Sequence, residues 1–188
     1  MTLATEQGFP QWLAAGTFFR GWALAAQGQA EAGIAQLCQG LAAWRATGAE
    51  IGRPRWLTML AEAYGSVGQT EAGLTVLAEA LALVGTTGQR VYEADLHRLQ
   101  GELVLLHAGA DGGAEAEPCF QQALAVAGRQ QAKSLELRAA INLARLWQQQ
   151  GKQVEARDLL APIYGWFTEG FDTADLQEAK TLLEELGS

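Results

Sequence analysis

The chain has 188 residues, 49% of them hydrophobic and 18% charged, with a formal net charge of −8 and an isoelectric point near 4.8. That is enough apolar material for a continuous core, and the negative charge argues against phosphate-driven nucleic-acid binding and against a basic membrane-surface helix. No run approaches the ~18 apolar residues of a membrane span, and the start, MTLATEQGFPQW, lacks a basic segment followed by a long apolar stretch. Alanine, leucine, glutamine and glutamate dominate while valine, isoleucine and threonine are sparse, which favours helix over strand.

Taken in chain order, the apolar periodicity predicts helices over residues 11–27 and 30–47, then 54–67 and 70–84, then 91–107 and 114–128, then 131–150 and 153–164. A last helix over 173–186 carries Leu176, Ala179, Leu182, Leu183 and Leu186 in one stripe, with charged residues opposite. The turns inside the pairs repeat. Gly28, Gly68 and Gly151 each sit between two helical patterns, and Gly109 marks a degraded fourth turn; the steps are 40, 41 and 42 residues. A period of that size signals stacked helix pairs, because one pair cannot bury its apolar face alone. The prediction is an all-α, right-handed α-solenoid forming a single domain over 1–188. Its pairs fall at 11–47, 54–84, 91–128 and 131–164, and the helix at 173–186 caps the end.

Little in this pattern suggests chemistry. The glycine-rich stretch Gly109–Gly113 lacks the Lys-Ser/Thr of a phosphate loop. His97 and His107 are ten apart, not four, so they do not form a helical metal pair. No serine stands in a nucleophile-elbow context. Cys38 and Cys119 lie in separate helices with no CxxC, which fits inert packing in a reducing, cytoplasmic compartment. The reading is therefore no enzyme, no cofactor, no metal, no nucleic acid and no membrane.

The repeats resemble the tetratricopeptide (TPR) family. The residues that carry the likeness are Leu60-Ala61, Tyr64, Gly68, Leu77 and Ala80-Leu81 in the second pair. In the third they are Gly101, Val104, Ala116, Phe120 and Ala123-Leu124, and in the fourth Leu143-Ala144, Trp147, Gly151, Ala156 and Leu160. The first pair has Gly21, Leu24, Gly28, Leu37 and Gly40-Leu41. The period exceeds the usual ~34 residues of that family. A narrower likeness covers 119–176, which is similar to the C-terminal TPR region of bacterial adenylate/guanylate cyclase–ATPase signalling proteins. The resemblance implies a protein- or peptide-binding scaffold or regulatory module, or alternatively a sensor that binds a small molecule or short signalling peptide.

It also implies a site. In the family the first helix of each pair lines a concave groove. Carried over, that groove comprises Phe18 and Trp22; Arg55, Thr58 and Glu62; Asp95, Arg98 and Glu102; and Arg138, Ile141, Arg145 and Gln148. Arg138 and Arg145, seven apart, point the same way. Two roles are open to them: gripping a partner's carboxylate, or pairing with Glu102 and Asp95 across the groove. At the apolar first pair, Phe18 and Trp22 with Ala15, Ala25 and Ala26 suggest either cover by preceding repeats of a longer parent, or binding of an apolar ligand segment or of a second copy of the chain.

Overall fold

A computed structural model describes residues 2–187, and no strand occurs among them. The chain forms two compact units that divide after Tyr92. The first holds α1 (Thr2–Glu6), α2 (Pro10–Ala26), α3 (Ala30–Ala46), α4 (Arg53–Ser66) and α5 (Thr70–Thr87). The second holds α6 (Glu93–Ala108), a 3₁₀ turn (Gly109–Gly112), α7 (Gly113–Gln130), α8 (Lys133–Gln149), α9 (Gln153–Tyr164) and α10 (Ala174–Leu186). In each unit a helix packs on its successor, and each first helix of a pair also touches the next first helix: α2 with α4, then α6 with α8 and α8 with α10. This is the packing of α-solenoid repeats. The expected turn glycines explain where the first helices stop. Gly28, Gly68 and Gly151 all have φ between 74° and 82°, a left-handed conformation that ends a helix without a Cβ clash.

The two units are cored differently. In the second, leucines and alanines fill the space. Leu137, Ala140, Ala144, Leu160, Leu176, Ala179 and Leu182 form one cluster that joins α8, α9 and α10. The stripe expected on α10 is thus buried, as a terminal cap requires, with Leu183 partly so. In the first unit the seam between α2 and α3 is made of glycine. A Cβ at Gly40 would lie 2.6 Å from the Phe18 backbone nitrogen, and one at Gly33 would lie 2.7 Å from both Ala25 N and Gly21 O. The two backbones therefore touch directly. Gly40→Ala is expected to lose about 1–3 kcal/mol of stability by overpacking. Gly85→Ala, whose Cβ would meet nothing within 4 Å in α5, is expected to gain about 0.5–1 kcal/mol. Urea denaturation of the two variants side by side checks both signs.

Where α3 meets α4 the glycine seam gives way to aromatic rings. Trp56 stacks on Phe18 at 4.4 Å and 21°, lies 4.5 Å from the Trp44 ring and takes Phe19 edge-on at 5.9 Å. Beside them Arg53, only 7% exposed, reaches Glu50 and, at 2.8 Å, Glu79.

Candidate functional site

The richest polar constellation lies in the second unit, on the face shared by α6, α8 and α10. On α6 the spacing of Asp95, Arg98 and Glu102 (i, i+3, i+7) puts all three on one side. Arg98 Nε donates to Asp95 Oδ1 at 2.8 Å, and its Nη1 donates to Glu102 Oε1 at 2.6 Å. Asn142 Nδ2, from α8, donates to the same Glu102 oxygen at 2.8 Å and ties the two helices together. The cluster is deep: the Asp95 side chain is 4% exposed and that of Arg98 12%. Burial disfavours the Arg98 charge, but the Asp95 and Glu102 carboxylates and their hydrogen bonds outweigh it, and its pKa moves up from the ordinary value. Next to Arg98 in the chain, burial pulls His97 below its ordinary value, opposed by a Gln100 hydrogen bond and the Glu93 charge.

Across the cleft, α8 and α10 are laced by a ladder. Arg138 Nε donates to Asp175 Oδ2 at 2.6 Å, Arg145 Nη2 lies 2.9 Å from Glu178 Oε1, and Gln148 Nε2 donates to Glu185 Oε2 at 3.3 Å. Arg98, Glu102, Arg138, Asn142, Asp175 and Glu178 surround a polar cleft of about 250 Å3, floored by the buried Ile141. Arg138 and Asp175 also form the wall of a second, largely apolar recess of about 410 Å3, which contains Leu137, Phe167 and Leu176.

The structure thus brings together Asp95, Arg98, Glu102, Arg138, Ile141, Arg145 and Gln148, all expected from the sequence. It corrects the pairing. Arg138 and Arg145 bind Asp175 and Glu178 of α10 rather than Glu102 and Asp95, because α10 packs against α8 and presents its acidic edge there. Four participants were missed: Asn142, Asp175, Glu178 and Glu185. Asn142 lies 40 residues after Glu102 and Asp175 lies 37 after Arg138, close to one repeat length, so the period could have pointed to them.

In the first unit two expected lining residues belong to the core. Phe18 is 0% exposed, filled over by Trp56, and Thr58 is 0% exposed with its hydroxyl bonded to Pro54 O at 2.8 Å. Neither can meet a partner. Trp22 remains 45% exposed and borders a small cleft with Met59, Glu62 and Ala63, of about 160 Å3. Arg55 lies over the Tyr92 ring at 5.1 Å. Between α2 and α3, Phe9, Trp12, Leu13, Ala43 and Ala46 line an apolar recess of about 690 Å3.

Among the described residues no three His, Cys, Asp or Glu side chains are grouped to hold a metal ion. No helix among them is long and apolar enough to cross a membrane. Burial pushes the Cys119 thiol up, with the Glu115 charge adding to it.

No family profile and no curated protein matches the sequence. Solved structures do match the fold. The nearly identical TPR-like repeats of a Podosopora anserina chain described as a kinesin light chain superpose with a TM-score of 0.70 at 18% identity, over 94% of this chain and 86% of that one. A variant of those repeats with one glutamine replaced by methionine gives 0.68 at 18% identity, over 95% and 94%. The chain therefore has the all-helical fold of TPR-like repeats.

Proposed function

We propose that this chain is a non-catalytic module that binds a protein or peptide, and that the α6–α8–α10 face of its second unit grips the partner. One observation carries the reading: three successive first helices open charged side chains into a single cleft with an adjoining apolar recess. Helix-lined grooves of this kind take extended or helical peptide segments. The likeness of 119–176 to cyclase–ATPase tails supports a place in a larger bacterial signalling ATPase, in the cytoplasm, where the two free cysteines would stay reduced. Self-association belongs to the same reading. Its surface would be Trp22 with the exposed Trp12 and Phe19, all on α2.

Peptide phage display on the full chain, followed by titration of the enriched sequences, tests the reading. The expectation is reproducible enrichment, with affinity about fivefold weaker for Phe167→Ala, which removes a wall of the apolar recess. Failure to enrich any peptide sinks it. Light scattering on the same samples reports whether the chain also pairs with itself. A second reading, a sensor for a small molecule, is favoured by the ~690 Å3 recess between α2 and α3, within the usual ~300–1,000 Å3 of ligand pockets.

A further inference from the structure

The arginines of the α6–α8–α10 face invite an acidic partner only if their charge is unspent. It is spent. Arg98 is held between Asp95 and Glu102, Arg138 faces Asp175, and Arg145 faces Glu178. Two guanidinium groups, Arg98 and Arg138, and three carboxylates, Glu102, Asp175 and Glu178, line the polar cleft itself. Glu169, exposed on the rim of the apolar recess, adds a fourth carboxylate. Lys133, next in the chain to the recess-lining Ser134, is paired with Glu136 at 2.7 Å and lies over the Trp166 ring at 5.9 Å. The joint site carries an excess of two negative charges, so an anionic partner would meet repulsion and a cationic one would complete the set.

The recess beside the cleft supplies the second half of the specificity. Leu137, Leu176 and Phe167 give it an apolar interior, and its volume of about 410 Å3 accommodates a large aliphatic or aromatic side chain. Arg138 and Asp175 stand in both walls, so the two compartments adjoin. In an extended segment, side chains two positions apart leave the same face roughly 7 Å from one another. Such a segment can seat an apolar residue in the recess and a basic one in the cleft.

We infer that the partner recognised by the α6–α8–α10 face is an extended, basic peptide segment in which a leucine- or phenylalanine-sized residue stands two positions from a lysine or arginine. This rests on the peptide-binding reading above and names its ligand class. The apolar residue displaces water from between Phe167 and Leu176, and the cation hydrogen-bonds to Glu102, Asp175 or Glu178. Neutralising the carboxylate excess makes binding sensitive to salt.

The test is fluorescence anisotropy of the full chain with labelled, terminally blocked hexapeptides in four sets: leucine with lysine two positions apart, leucine with glutamate in that place, leucine alone, and lysine alone. The leucine–lysine set is expected to bind at least about fivefold more tightly than the leucine–glutamate set. That advantage should shrink on raising salt from about 0.1 to about 1 M and in Glu178→Gln, a surface change that leaves the core intact. Phe167→Ala should weaken both leucine-containing sets, with circular dichroism confirming that the variant is folded. Equal or tighter binding of the leucine–glutamate set overturns the basic assignment while leaving peptide binding in place. No binding by any set overturns the basic assignment, whereas peptide binding itself falls only if phage display also enriches nothing.

Discussion

Trp56→Ala is expected to cost about 3–5 kcal/mol, the range for deleting a large aromatic residue from a packed core. Trp56 is 7% exposed and touches rings from two other helices: Phe18 and Phe19 of α2 and Trp44 of α3. Its removal takes away both its own burial and the stacking partner that keeps Phe18 at 0% exposure. The hole cannot close easily, because α2 is pinned to α3 by the Gly21, Gly33 and Gly40 contacts and cannot slide toward α4. Trp56→Phe, which keeps a ring in place, should lose far less. Urea denaturation followed by far-ultraviolet circular dichroism measures both. A loss under about 1 kcal/mol for the alanine variant would show that the rings do not hold α4 to the first pair.

Arg98→Met should be nearly as damaging, at about 3–5 kcal/mol, for an electrostatic reason. The methionine keeps the apolar stem but withdraws the guanidinium from Asp95, whose side chain is 4% exposed, and from Glu102, which also accepts from Asn142. Breaking a buried pair from one side takes a guanidinium away from a desolvated carboxylate, which costs more than the pair itself contributes. The double variant Arg98→Met, Asp95→Leu should recover part of the loss, since two apolar residues of similar volume need no compensation. A double-mutant cycle in urea provides the check. Strict additivity would mean that the two side chains do not cooperate.

Much of this fold is legible in the residues because its cues are local. The glycine at each turn, the helical period on either side and the apolar stripe of α10 are all properties of short segments, and the structure places helices and cap where those cues indicate. The candidate site is legible only in part, for a physical reason. Periodicity tells which side chains share a face but not what that face meets. Phe18 and Trp22 lie one turn apart on α2, yet the first is sealed by Trp56 and the second is 45% exposed. The partners of Arg138 and Arg145 depend on the rotation and axial shift of α10 against α8, 33 to 37 residues away. No local pattern encodes those two quantities.

The glycine seam has a mechanical consequence. Where α2 and α3 meet at Gly21, Gly33 and Gly40, backbone lies against backbone with no room for a further Cβ, so the pair resists bending as one stiff beam. The contact between that beam and α4 is of another kind. Four aromatic rings at 4.4 to 5.9 Å can slip past one another on shallow potentials. Under load, the first unit would flex at the Trp56 stack, and its compliance would be set by that joint rather than spread evenly along the helices.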